Sequence, residues 1–145
     1  MSGFRGHIAA GSAVGAAVSV TVIATGLSGI PLAAEAGVFC ALMSLYPDTD
    51  IKSVSSVIVN AIGLSVSGWL AFTGRVWAAL TVMYFLAVPA LFRHRGLMHS
   101  IPMAVVMPAS ICAFACLMDW IQVRDAVILS AAGTAGYITH LAMDM

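Results

Sequence analysis

The sequence predicts an all-α, polytopic membrane helix bundle of about five to six transmembrane helices. Three observations carry that expectation. The chain of 145 residues is 61% hydrophobic and only 8% charged, whereas soluble domains carry about 25% charged residues. Its mean hydropathy is +1.04, so its natural solvent is lipid. The apolar runs are separated by short polar breaks, and the few ionisable groups gather at those breaks.

A formal net charge of zero offers no basic field for nucleic acid. The length suits one membrane-embedded domain over 1–145. Cys40, Cys112 and Cys116 lie inside apolar runs. Their odd number and surroundings argue against a disulfide framework and for small core residues.

In order, Ile8 to about Ile30 is uncharged and long enough to cross at roughly 20 residues per span. Arg5 before this run also fits a signal peptide, but the run is long for one and flows into more membrane-like sequence, so it reads as a retained helix. Gly11, Gly15, Ala16 and Ser19 recur at spacings that make a narrow face for close helix packing. Pro31 to Tyr46 reads as a short second helix begun by proline, with Glu35 in its first turn. Val54 to Phe72 is a third crossing, with Asn60 its one strongly polar residue, and Val76 to Phe92 a fourth, ended or kinked by Pro89. Ser100 to Met118 is a fifth, which Ser100 is expected to cap. Asp119 to Asp125 is a loop, and Ala126 to Met143 a sixth crossing. Trp120 and Tyr137 read as membrane-interface residues.

Six crossings put the amino terminus, the 47–53 break, the 93–99 break and the carboxyl terminus on one side. His7, Asp48, Asp50, His94, His99, His140 and Asp144 all fall there. Arg5, Lys52, Arg93 and Arg95 share that side and Arg75 and Arg124 the other, so the positive-inside rule makes the site face cytoplasmic.

The stretch Arg93-His94-Arg95-Gly96-Leu97-Met98-His99-Ser100 is the densest polar cluster. His94 and His99 point together only if the backbone bends, which Gly96 permits. The bland alternative is a basic loop in the headgroup region. Asp48 and Asp50 lie two apart, on one side of the chain if it is extended there, as cation ligands or as polar-turn residues. His140 and Asp144 are four apart on one helix face, which suits two ligands or a carboxylate orienting an imidazole. His7 is a ligand or an ordinary interfacial histidine. Together these groups form a nitrogen and oxygen ligand set without thiolates, suited to a divalent ion such as zinc, manganese or iron. The expected core is Asp48, Asp50, His99 and His140, with His94, Asp144 and His7 nearby.

On four elements in order the chain resembles the YdjM-like bacterial inner-membrane proteins, described as LexA-regulated, membrane-bound, metal-dependent hydrolases. The elements are His7, PDTD (Pro47 to Asp50), HRGLMHS (His94 to Ser100) and GYITHLAMD (Gly136 to Asp144). Met98 stands where the family usually has threonine. The chain stops at Met145, where family members usually continue with another apolar stretch, so a short variant or a truncated reading frame is expected. The resemblance implies a multi-pass protein of the bacterial inner membrane with a divalent-metal site.

The functional expectation is therefore a metal-dependent hydrolase acting at the cytoplasmic membrane interface, with zinc or manganese as the ion. Water is activated by the ion, with Asp48 or Asp50 as proton acceptor, Arg95 holding a developing oxyanion and His99 indispensable. Membrane lipid is the expected partner, and a lipid headgroup ester the substrate class. Two rivals remain. An ion-binding or transport protein would carry polar residues along several helices at mid-depth. A non-catalytic structural protein would hold no metal.

Overall fold

The computed structural model describes residues 4–50, 53–91 and 96–145, with the side chain of Asp50 left aside. The described residues form six α-helices: α1 (Phe4–Ala24), α2 (Ile30–Met43), α3 (Val54–Phe72), α4 (Val76–Ala87), α5 (Ile101–Leu117) and α6 (Val123–Asp144). Among the described residues there is no strand. All six predicted segments are helical, because each apolar run is long enough to propagate and each polar or glycine break stops it. Three helices, α1, α3 and α6, are long and apolar enough to cross a membrane; α2, α4 and α5 are shorter apolar helices.

Several boundaries differ from the sequence reading. Helix α2 begins at Ile30, so Glu35 lies beyond its first turn, exposed, and serves no helix start. Helix α4 gives way to a 3₁₀ turn at Val88–Leu91 around Pro89, as its proline predicts. Ser100 occupies the N-cap of α5 but makes no side-chain cap bond; its hydroxyl donates to the Leu97 carbonyl instead. The true capping device is at α3, where Ser53 and Ser56 bond each other's backbone reciprocally.

Helix α6 is the hub. It packs along α1, α2 and α5, while α1 pairs with α2 and α3 forms a hairpin with α4. Close approach depends on glycine. A Cβ on Gly136 would stand 1.9 Å from the Cys40 carbonyl oxygen, and one on Gly15 would stand 2.5 Å from the Gly37 carbonyl oxygen. Of the predicted narrow face on α1, Gly11 and Gly15 are buried and Ser19 donates to the Ala33 carbonyl at 2.7 Å, but Ala16 points outward. The α2–α6 backbone contact at Gly136 fixes the end of α2 against the end of α6, and the ionisable groups gather at those two ends.

The exterior is as apolar as the interior. Phe72, Trp77, Ile101, Leu117 and Ile30 are among the most exposed side chains, whereas His7, His140 and several serines are buried. Soluble monomers rarely expose so many large apolar side chains; such an exterior suits lipid. Cys40 and Cys112 are buried and Cys116 half-buried, all free thiols, as expected of core residues.

Candidate metal centre

Four elements bring ionisable groups to one end of the bundle. Near its start α1 presents His7. A 3₁₀ turn, Tyr46–Asp50, presents Asp48 directly after α2. A second 3₁₀ turn, Leu97–His99, presents His99 just before α5. The last turns of α6 present His140 and Asp144 from one face. The break around Asp48 is thus helical rather than extended, which removes the alternation argument for pairing Asp48 with Asp50. Asp50 closes its turn, and its side chain lies outside those described. His94 and Arg95 also lie outside the described residues.

One atom each from Asp48, His99, His140 and Asp144 lies within 4.8 Å of every other, an arrangement that can hold a metal ion. His140 Nε2 stands 3.3 Å from His99 Nε2, 3.4 Å from Asp144 Oδ2 and 3.6 Å from Asp48 Oδ1. His99 Nε2 stands 3.5 Å from Asp48 Oδ1 and 3.7 Å from Asp144 Oδ2. A tetrahedral shell with bonds of roughly 2.0–2.2 Å has ligand separations of roughly 3.3–3.6 Å. The five separations that involve a histidine fall on or close to that range, while the two carboxylates are held only to within 4.8 Å of each other.

The tautomer of His140 follows from its other nitrogen. Nδ1 lies 2.9 Å from the Ser44 carbonyl oxygen. A carbonyl only accepts, so Nδ1 carries the proton and, in the neutral ring, Nε2 presents its lone pair to the cluster. That lone pair meets two carboxylate oxygens, an electron-rich convergence that a cation relieves. Ser44 is itself fixed: it is wholly buried, and its hydroxyl donates to the Ala41 carbonyl at 2.7 Å and meets the His7 carbonyl at 3.3 Å.

His7 stands behind the four. Its ring stacks on His140 with centroids 4.2 Å apart, and its Nε2 is 3.3 Å from Asp144 Oδ1, the carboxylate's other oxygen. This is the position of a group that orients a ligand. For Asp48, burial pushes the carboxyl pKa up, but the hydrogen bond from His99 and the His140, His7 and His99 rings together outweigh burial and leave it below the ordinary value. Asp48 is therefore ionised at neutral pH.

Sequence reading named the cluster's ionisable members but missed what aims them. Tyr137, expected at the interface, is wholly buried, and its hydroxyl donates to the Met98 carbonyl. Tyr46 donates to the Phe85 carbonyl. Ser53 donates to the Asp48 carbonyl at 3.0 Å. Nothing in the order of residues distinguishes these hydroxyls from ordinary interfacial or capping ones.

A helical bundle with an apolar exterior, whose described histidines converge with two carboxylates at one end around a point able to hold an ion, is a membrane protein with a candidate metal centre. The family model for the YdjM inner membrane protein matches residues 1–145, the whole chain, and the chain belongs to that family. No curated protein and no solved structure matches it.

Proposed function

We propose that the chain is a multi-pass, metal-dependent hydrolase of the bacterial inner membrane, working at the cytoplasmic headgroup level. One observation carries the reading: two histidines and two carboxylates on three separate elements converge, each offering an atom within 4.8 Å of the others. Zinc suits that spacing and donor set better than manganese, which belongs with oxygen-rich octahedral sites. A bound divalent ion supplies a Lewis acid that polarises an ester oxygen and acidifies water.

The chain's own groups do the rest. Ser44 holds His140 in the ligating tautomer, and His7 holds Asp144. His99, His140 and Asp144 would hold the ion with a fourth position open to water. Asp48, close to both histidines, or Asp50 would accept the water's proton, and Arg95, four residues before His99 in the sequence, would receive the developing oxyanion through its planar fork. The mouth of the site supports an amphiphilic substrate. Beside His99 and Asp144 it is lined by Ile101, Leu141 and Met145, in a cavity of about 280 Å³. A polar reaction centre with an apolar lip suits a lipid headgroup ester, its acyl part lying against the lip.

Ion transport is the weaker alternative. Away from the site the buried polar side chains among the described residues are serines such as Ser67, which donates to the Ala79 carbonyl at 3.0 Å. No ladder of ionisable groups leads through the bundle among those residues.

Metal analysis of detergent-purified protein should find about one zinc per chain. A phospholipid panel should be hydrolysed, chelation should abolish turnover, and re-added zinc should restore it. His99→Ala should be inactive yet inserted. Turnover surviving both chelation and His99→Ala would sink the proposal, and metal bound without turnover on any panel would favour the ion-binding alternative. Single cysteines at Lys52 and Arg93 should label from the cytoplasm and one at Arg75 from the opposite side; labelling of the first two from opposite sides would remove the common site.

A further inference from the structure

The two 3₁₀ turns that carry Asp48 and His99 are short, and neither belongs to a long helix. Helix α6 holds His140 and Asp144 by its own regular backbone. The turns need another restraint, because ligand spacing at a metal must be kept to within a few tenths of an ångström. Each turn has one buried phenol fastened across it. Tyr137 lies on α6, three residues before His140, and reaches over to the carbonyl of Met98, the residue next to His99. Tyr46 opens the Asp48 turn and reaches the carbonyl of Phe85 on α4.

We propose that Tyr137 and Tyr46 are positioning residues that hold the His99 and Asp48 turns at ligand distance from His140 and Asp144. The inference rests on the metal-site reading and deepens it.

The geometry has a definite logic. Tyr137 and His140 are a helical i, i+3 pair, so one rigid element supplies both a ligand and the tie that sets the distance to the next ligand. The bond is to backbone, so it fixes the turn itself, and the His99 ring follows. Met98 is wholly buried beside Met103, Met107 and Tyr137 in the apolar core. The methionine in the HRGLMHS stretch therefore fills core while its carbonyl takes the phenol. On the other turn, Thr49 donates to the Tyr46 carbonyl at 2.7 Å and Ser53 to the Asp48 carbonyl. These bonds keep the turn compact, while Tyr46 ties it to the α3–α4 hairpin.

Removing one hydroxyl keeps the ring and its packing, so Tyr137→Phe and Tyr46→Phe separate positioning from core filling. The experiment titrates the full-length, detergent-purified chain with zinc and, for a spectroscopic signature, with cobalt(II). Outer groups that orient metal ligands typically contribute ~10–100-fold in affinity. Each variant is expected to lose zinc affinity by about that factor, with helix content retained. The intense visible bands of tetrahedral cobalt should weaken or shift in both. Tyr84→Phe, on an exposed ring of α4, is the control and should match the wild type.

Wild-type zinc affinity and an unchanged cobalt spectrum in both variants would overturn the positioning role while leaving the metal site standing. Should one variant fail to fold, the other decides for its own turn; failure of both would make the tyrosines structural and overturn the inference. A wild-type chain that binds neither ion would instead remove the metal-site reading on which the inference rests.

Discussion

The two ends of the bundle both carry carboxylates and behave as different materials. At the far end Glu35, Asp119 and Asp125 line an open cleft of about 840 Å³ with Trp120 and Gln122. It is the larger of the two openings, yet among the described residues no histidine joins its acids, and Glu35 and Asp119 stand exposed. At the site end Asp48 and Asp144 are largely enclosed and each meets histidine nitrogens within 3.7 Å. Charge in itself is therefore not the mark of a site in this chain. Enclosure, mixed donors and a shared focal point are, because only those raise the cost of leaving the groups without an ion.

That contrast can be broken most sharply at His140. His140→Ala removes the donor common to three of the short separations, and zinc affinity should fall by more than ~100-fold, beyond the range of supporting groups. Competition against a fluorescent chelator measures it, and a loss under tenfold would mean the two ends differ less than the geometry implies. Next in size is Gly136→Val, which forces atoms into the Cys40 backbone and separates α2 from α6. Overpacking of this kind destabilises by about 1–3 kcal/mol. Thermal unfolding in detergent should register it, together with weaker zinc binding, since the Ser44 carbonyl rides on α2. An unshifted melting curve would show that the α2–α6 contact yields more easily than its close approach implies.

His7→Ala tests the orienting role at Asp144 and should cost ~10-fold in zinc affinity. A loss as large as that of His140→Ala would make His7 a ligand and enlarge the shell. The smallest effect belongs to the far end. Glu35→Gln combined with Asp125→Asn should leave zinc affinity unchanged and stability within ~0.5 kcal/mol. A drop in metal binding there would join the two ends functionally and undo the comparison.

Much of this arrangement is legible along the chain because it depends on short separations. Polar breaks at Pro47, Thr73 and Asp119 mark helix ends, and the four-residue step from His140 to Asp144 places both on one face. What is not legible depends on long separations. His140 finds the Ser44 carbonyl 96 residues away, and Tyr137 finds Met98 across 39. Asp144, expected beside the core, stands among the four convergent groups, and the 3₁₀ turn at Tyr46–Asp50 replaces the expected extended segment. Tyr137 shows the same limit, since an aromatic near a helix end suits a membrane interface equally well until packing is known.

The brevity of α2 has a mechanical consequence. Its 14 residues rise only about 21 Å, against roughly 30 Å of hydrocarbon in a typical bilayer. Helix α6, with 22 residues, covers that thickness and more. A bundle of such unequal lengths is mismatched to its bilayer at one end, and membranes answer mismatch by thinning. The dip would form where α2 stops, at Ser44, directly over the histidines. Headgroups and water would crowd toward the cluster there, so the depth of the histidines would be set by the bilayer's deformation as much as by the length of α6.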